Sequence, residues 1–263
     1  MNIGLIIVGD EILSGKREDK HLPKVISLLA ARGLALSWAR YVGDDRPRIT
    51  AALVDAFGSG DLVFSCGGIG ATPDDHTRQC AAAALGRPLE LHPEARELIL
   101  QRMQDVAREQ GVTFDPDRPD NAHRLQMGVF PQGAAIVPNP YNKIPGFSVG
   151  HVHFVPGFPV MAWPMIEWVL DQRYAHLHGA GRSVERSVIV FGAMEATLTP
   201  LMEAVEAAHP GVRVFSLPSV DHPTLGRHIE LGVKATIDPT TAYAALREGL
   251  LALGAKLGTE MVR

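Results

Sequence analysis

The chain has 263 residues, of which 46% are hydrophobic and 21% charged, and this composition excludes a wholly disordered protein. Its net charge of −4 provides no global positive field that would attract a nucleic-acid backbone. Two cysteines, Cys66 and Cys80, are too few for a disulfide framework and are not spaced for zinc, which favours a reducing cytoplasm. The sequence has neither a long apolar run nor a basic leader. We therefore expect a soluble cytoplasmic protein with no membrane partner.

Short apolar strands alternate with amphipathic helices over the first 85 residues. The predicted strands lie at 3–8, 36–42 and 62–66, and the predicted helices at 22–31, 49–57 and 73–85. Alternation at this spacing predicts right-handed crossovers and a mostly parallel sheet with helices on both faces. The expected fold is therefore a three-layer αβα sandwich.

A proline-rich stretch at 112–148 interrupts this pattern after a polar helix at 93–110. Its six prolines exclude long regular elements, and loops of that length inside a domain tend to be functional. A strand at 151–155 and a helix at 160–174 then complete a first domain, which we assign to residues 1–175.

A segment at 176–182, which contains Gly179-Ala180-Gly181, indicates a linker. The pattern after it predicts a strand, a helix, two strands and a helix, at 187–191, 197–208, 212–217, 227–235 and 240–253. We therefore expect a second, smaller α+β domain at 183–263.

Two polar loops follow the first and third strands, Gly9-Asp10-Glu11 and the segment 67–75. Parallel sheets bind ligands at the carboxyl ends of their strands, where loops and helix N-termini gather. The glycines of the second loop permit positive φ and allow its backbone N–H groups to surround an anion. The same loop also suits a plain helix start, with Thr72 as N-cap, Pro73 in first position and Asp75 in a capping box.

Four carboxylates would meet if the two loops adjoin: Asp10, Glu11, Asp74 and Asp75. Beside a phosphate-sized nest, they would form the oxygen-rich environment that a divalent cation bridging phosphates prefers. Without a cation, such carboxylates would raise one another's pKa. We therefore predict all four as metal ligands.

Other residues allow two interpretations each. His151 and His153 would face one side of a strand, where they could share a metal or form a hydrogen-bonded structural pair. His76 could act as a general base, orient a phosphate, or simply lie on the surface of a helix. Cys66 could be a reactive thiol near a helix N-terminus or a buried strand residue.

The two loops resemble the signature loops of the molybdopterin-binding (MoaB/Mog-like) domain, most of all in its CinA, competence/damage-inducible branch. The matching segments, in the order of the CinA N-terminal domain, are 7–15, 66–77, 91–93, 131–134, 137–140, 145–147 and 156–159. The resemblance covers about residues 1–172. Residues 183–263 resemble, more faintly, the small KH-type domain of CinA proteins. The nicotinamide-nucleotide deamidase domain that often comes third has no counterpart in the 263 residues.

This resemblance implies a pocket that holds a pterin or a nucleotide with its phosphates on the glycine-rich loop. In MoaB/Mog relatives the family chemistry is adenylylation of molybdopterin by ATP and magnesium. In the CinA branch it is metal-dependent hydrolysis of the pyrophosphate of ADP-ribose or FAD; the candidate divalent cations are Mg²⁺, Mn²⁺ and Co²⁺, and K⁺ is a candidate additional ion. The catalytic residues it implies are Asp10, Asp74 and Asp75. The substrate-binding residues it implies are Gly9, Glu11, Gly67, Gly68, Gly70, Thr72, Thr77, Asn139, Pro145 and Gly146.

Several positions depart from the CinA pattern. The segment 18–21 stands where the CinA branch usually has a segment with a Thr-Asn pair. Ala71 stands where a proline is common, His76 where an aliphatic residue is usual, and Lys143 where a small residue is usual. Three functions therefore stay open: a nucleotide pyrophosphatase, a molybdopterin-handling adenylyltransferase, and a non-catalytic pterin or nucleotide sensor. We rank them in that order.

The C-terminal domain has seven lysines and arginines against nine acidic residues, and it contains no Gly-x-x-Gly loop. We therefore expect no nucleic-acid partner. Formation of a homo-oligomer or completion of the pocket is the expected role of this domain.

Overall fold

The computed structural model describes residues 1–115, 118–179 and 183–263, which divide into two compact units, Met1–His178 and Gly179–Arg263. The strands of the first unit are β1 (Ile3–Val8), β2 (Trp38–Val42), β3 (Leu62–Cys66), β4 (Leu89–Leu91), β5 (Val129–Pro131), β6 (Ala135–Val137), β7 (Gly146–Val149) and β8 (Val152–Val155). Its helices are α1 (Asp10–Leu13), α2 (His21–Ala31), α3 (Arg46–Ser59), α4 (Thr77–Leu85), α5 (Pro93–Glu109), α6 (Pro119–Leu125) and α7 (Pro159–Arg173).

Six of these strands form the central sheet of the first unit, in the order β2-β1-β3-β8-β7-β6. The four strands β2, β1, β3 and β8 run parallel, and β7 and β6 extend the sheet in antiparallel pairs. Every residue of β1 and β3 is buried, as expected for strands covered on both faces. The mostly parallel sheet predicted from the sequence is therefore confirmed.

Two hydrophobic clusters cover opposite faces of this sheet. Leu5 and Ile7 of β1 pack against α2 and α7, whereas Ile6 and Val8 pack against α3 and α4. Successive side chains of a strand point to opposite faces, so one apolar run contributes to both clusters. The resulting arrangement is the predicted three-layer αβα sandwich.

The helix after the glycine-rich loop begins later than predicted. It starts at Thr77 rather than near Pro73, and His76 at its N-cap makes no side-chain capping bond. The segment before it forms a turn of its own, in which the Asp75 N–H donates to the Thr72 carbonyl (3.1 Å). The alternative interpretation, in which Thr72 caps this helix, is therefore wrong, although Asp75 does accept from the Thr72 N–H as that interpretation required.

The proline-rich stretch contains only short elements, as its composition predicts. They are α6, the 3₁₀ turn Gln126–Gly128 and the strands β5 to β7. Pro116 lies outside the described residues.

The second unit is an antiparallel sheet with two helices on one face. Its strands are β9 (Val184–Phe191), β10 (Val212–His222), β11 (Gly226–Ala235) and β12 (Lys256–Val262), in the order β10-β11-β9-β12, and its helices are α8 (Glu195–Ala208) and α9 (Thr240–Ala252). Alternate residues of β9 and β11 form the core with both helices. The prediction omitted β12, whose residues are mostly exposed along the sheet edge. Residues 180–182 of the predicted linker lie outside the described residues.

Within the described residues, every helix is too short or too polar to cross a lipid bilayer.

Candidate ligand-binding site

A cavity of about 580 Å³ opens at the carboxyl ends of β1, β3 and β8. The loops after these strands form its floor, and the segment between β6 and β7 forms its far wall. Predicted site residues that line it are Gly9, Glu11, Gly67, Gly68, Gly70, Thr72, Asp74, Asp75, Asn139 and Pro145. The two polar loops therefore adjoin at one site.

Three predicted residues do not line the cavity. Thr77 is buried beneath the glycine-rich loop, where its hydroxyl donates to the Gly67 carbonyl (3.0 Å) and its N–H donates to the Gly68 carbonyl (2.9 Å). Gly146 lies in β7 against the backbone of Phe154. Asp10 is exposed and interacts with the loop after β2 instead. Thr77 therefore supports the loop from below.

The glycine-rich loop has a shape that side chains would prevent. Gly67 and Gly68 have φ of 104° and 69°. A Cβ atom at Gly68 would collide with the Thr77 hydroxyl, and one at Gly70 would lie 2.5 Å from Asp75 Oδ2. Within the described residues, no backbone carbonyl accepts a hydrogen bond from the N–H of Gly68, Ile69 or Gly70. These donors can therefore bind an anionic group.

The acidic end of this loop is organised by Thr72. Its hydroxyl lies 2.5 Å from Asp74 Oδ1 and 2.6 Å from Asp75 Oδ2, and its N–H donates to Asp75 Oδ2 (2.8 Å). Hydrogen bonding from this hydroxyl is the main cause that lowers the pKa of Asp74. The loop thus holds two carboxylates side by side at the cavity.

Asp44 is a cavity residue that the sequence analysis missed. It follows β2, which neighbours β1, so its loop reaches the same sheet edge. Asp44 Oδ2 accepts from the Asp10 N–H (2.9 Å), and Asp10 Oδ1 accepts from the Asp44 N–H (3.1 Å). Burial, followed by the charges of Asp10, Glu11 and Asp74, raises the pKa of Asp44. The signal that could have identified it is the sequence Gly43-Asp44-Asp45 directly after a strand.

The donor chemistry of the cavity suits a hard cation, although no cage of ligands is assembled. Within the described part of the chain, no three histidine, cysteine or acidic side chains stand together as a metal site. Mg²⁺ usually takes only one or two carboxylates and completes its shell with water and substrate phosphates. The carboxylates that line the cavity, Glu11, Asp44, Asp74 and Asp75, could therefore supply one or two ligands to a cation that arrives with a phosphate.

The remaining wall of the cavity mixes polar and apolar groups. The Arg17 guanidinium lies 6.0 Å from the ring centre of Phe158, and both residues line the cavity. Asn139 is buried, and its amide donates to Asn142 Oδ1 (2.8 Å) and to the Ile144 carbonyl (2.9 Å). Its amide therefore shapes the loop that forms the wall. The sequence analysis did not predict Arg17, Phe158 or Asn142 as site residues.

The two histidines of β8 and its preceding turn form a structural pair. His153 Nδ1 lies 2.7 Å from the Ser148 hydroxyl, and the Tyr174 hydroxyl lies 2.9 Å from both His153 Nε2 and His151 Nδ1. Burial lowers the pKa of His153 to about 3, so this imidazole stays neutral. The hydrogen-bonded interpretation of the pair is confirmed.

Cys66 and His76 both lie outside the lining of the main cavity. Cys66 is buried, and burial raises the pKa of its thiol, which disfavours the reactive thiolate. His76 does not line the main cavity but a smaller one beside it.

The chain is similar to known proteins over most of its length. Residues 4–176 match the family model described as "Probable molybdopterin binding domain". A CinA-like protein of Anaeromyxobacter dehalogenans is 34% identical over 220 residues, which cover 81% of this chain and 51% of that protein. A CinA-like protein of Syntrophotalea carbinolica is 32% identical over 219 residues, which cover 79% of this chain and 51% of that protein. This chain thus spans about half the length of these curated relatives.

Among solved structures, the protein CinA from Thermoplasma acidophilum, described as of unknown function, matches with a TM-score of 0.54 and 28% identity. The match covers 65% of this chain and 96% of that one.

Proposed function

The chain belongs to the probable molybdopterin-binding domain family, as a CinA-like protein with a MoaB/Mog-type domain, and on this premise we propose that it is a metal-dependent nucleotide pyrophosphatase. The proposed substrates are ADP-ribose and FAD-like dinucleotides. The observation that carries the proposal is one cavity that combines a glycine-rich anion nest with four carboxylates. Hydrolysis of a phosphoanhydride needs both, because the phosphates must be positioned and their charge neutralised.

Each part of the cavity has a distinct task in this proposal. The N–H groups of the glycine-rich loop bind and orient the two phosphates. One or two of Glu11, Asp74 and Asp75 would hold a divalent cation, which supplies charge neutralisation for the phosphoryl group. Water attacks one phosphorus and the bridging P–O bond breaks, so that ADP-ribose yields AMP and ribose 5-phosphate.

Asp44 is best suited to accept the proton of the attacking water. Its raised pKa brings this carboxylate nearer to the pH at which a general base works efficiently. It lies at the cavity, where the charges of Asp10, Glu11 and Asp74 act on its carboxyl group.

The test is to incubate the purified protein with ADP-ribose, FAD, NAD and ATP, each with Mg²⁺, Mn²⁺ or Co²⁺ and with K⁺. We expect chromatography to show AMP from ADP-ribose or FAD, and a chelator to abolish its release. Absence of AMP under every metal would contradict the proposal. Thermal stabilisation by nucleotide without turnover would then indicate a sensor, and ATP-dependent adenylylation of a pterin would indicate a transferase.

A further inference from the structure

A second cavity, of about 230 Å³, lies on the other side of the acidic end of the glycine-rich loop. Ala71, Thr72 and Asp75 line both cavities, so this loop segment separates them. In contrast to those of the main cavity, the titratable side chains that line the second cavity are mostly basic. Its positive or protonatable side chains are Arg46, His76, Arg78 and His123, from α3, α4 and α6 and the N-cap of α4.

Arg78 is the structural centre of this second cavity. The residue is only 4% exposed, and its guanidinium donates to the Gly70 carbonyl (Nη2, 2.5 Å) and to the Gln126 carbonyl (Nη1). Its buried Nε has no hydrogen-bond partner within the described part of the chain. A buried donor without a partner is costly, and the positive charge of this guanidinium lies at the wall of the cavity.

The charges around the cavity are also unbalanced. Among the side chains that the structure describes, Asp75 is the only carboxylate that lines it, and the Oδ2 atom of Asp75 already accepts from Thr72. The cavity volume is several times the roughly 30 Å³ that one water occupies in the liquid, so a tetrahedral oxyanion has room. Guanidinium groups bind phosphate oxygens with strong, directional hydrogen bonds.

We propose that this second cavity is a phosphate-binding subsite formed by Arg46, His76, Arg78 and His123. The inference does not rest on the proposed pyrophosphatase activity, because it concerns binding of an oxyanion in a different cavity. The subsite would place an anion directly behind the loop that carries Asp74 and Asp75. An anion bound to Arg78 would also stabilise the position of Gly70, since the same guanidinium holds its carbonyl.

The test is a titration of the full chain with inorganic phosphate, followed by the imidazole NMR signals of His76 and His123. We expect both signals to shift in a saturable manner. The double variant Arg46→Ala/His123→Ala should weaken phosphate binding at least tenfold, as read from the His76 signal. Both residues are exposed, so their truncation spares the core. Arg40→Ala, which removes an exposed arginine on β2, should leave the affinity within twofold.

Unmoved imidazole signals, or unchanged phosphate affinity in the double variant, would overturn the inference. A parallel titration with AMP identifies the source of the phosphate group. If AMP shifts the same two signals and binds more weakly to the double variant, the subsite binds a nucleotide phosphate. If only inorganic phosphate does so, the ligand is the free anion.

Discussion

At the scale of single residues, Asp44 affects both the stability of the protein and the reaction proposed for the main cavity. Its carboxyl group is partly buried and faces the charges of three other acidic residues. Such an arrangement opposes ionisation in the folded state, yet it attracts the cation that the proposed reaction needs. Residues that are favourable for function and unfavourable for stability are common at active sites.

We predict that Asp44→Asn stabilises the protein at neutral pH and lowers its turnover. The pKa of Asp44 is raised above its ordinary value of 3.8, so the folded state binds this proton more tightly than the unfolded chain. The stabilisation that comes from this tighter proton binding is present below the ordinary pKa of 3.8 and is lost as the pH rises through the raised pKa. The variant avoids this loss. We expect a gain of roughly 1–3 °C in melting temperature at pH 7 and less at pH 4.

Thermal denaturation at the two pH values measures this effect. Asp55→Asn is the matched control, because its exposed carboxylate pairs with Arg40 and does not line the cavity. A lower melting temperature of Asp44→Asn than of the wild type at pH 7 would contradict the argument that burial and the neighbouring carboxylates make the ionised Asp44 destabilising.

The sequence predicted most residues of the cavity but not Asp44. Glu11, Asp74 and Asp75 could be predicted because they follow buried strands in glycine-containing loops. Asp44 follows β2, and only the strand order, with β2 beside β1, brings its loop to the same edge. Strand order depends on pairing between distant segments, which local patterns do not specify. The opposite error concerns Asp10, whose side chain interacts with the Asp44 backbone instead of lining the cavity.

At the scale of elements, the glycine-rich loop depends on the helix that follows it. Thr77, the first residue of α4, holds two loop carbonyls, and this contact leaves no space for a side chain at Gly68. The loop and the start of α4 therefore form one structural unit. The sequence indicated a helix cap at Thr72 because threonine, proline and acidic residues fit both a cap and a turn. The turn rather than the cap forms here, because Thr77 and Arg78 bind the carbonyl groups of the glycine-rich loop.

We predict that Gly68→Ala costs more stability than Gly86→Ala. Both glycines have left-handed backbones, with φ of 69° and 62°, so alanine loses about 1 kcal/mol at either position. At Gly86 the added Cβ meets open space, whereas at Gly68 it meets the Thr77 hydroxyl. Overpacking should add about 1–3 kcal/mol at Gly68. Urea denaturation compares the free energies of unfolding, and equal losses would contradict the packing argument.

We predict that Tyr174→Phe destabilises the first unit by about 1–3 kcal/mol. The change removes the hydroxyl that joins His151 and His153 to the end of α7 and leaves buried His153 Nε2 without a partner. Tyr141→Phe is the control, because Tyr141 is 62% exposed. Chemical denaturation should show a loss for Tyr174→Phe only; similar values for both variants would contradict the structural role of the network.

At the scale of the whole molecule, each unit has its own hydrophobic core. The two clusters that cover the central sheet lie within residues 1–178, and the third lies within 179–263. The sequence predicted the three-layer fold because short apolar runs that alternate with segments of helical periodicity leave few alternatives. It missed β12 because this largely exposed edge strand mixes charged, polar and apolar residues with a glycine and therefore produces no continuous apolar signal.

We predict that a fragment of residues 1–178 unfolds cooperatively and keeps nucleotide-induced thermal stabilisation, because its cores and its cavity lie within this range. Calorimetry of the fragment and of the full chain tests this. A fragment that shows no unfolding transition would contradict this prediction.

Light scattering on the same samples tests the expected homo-oligomer. Self-association that is lost in the fragment would assign the oligomer contact to the C-terminal unit.

The most direct test of the central claim is the rate of AMP release from ADP-ribose by Asp75→Asn. The amide can still accept from Thr72, so the loop and the melting temperature should be retained, while the negative charge at the cavity is lost. We expect kcat to fall at least a hundredfold with saturating Mn²⁺. A folded variant with wild-type turnover would show that Asp75 only shapes the loop, and would contradict a cation site at this cavity.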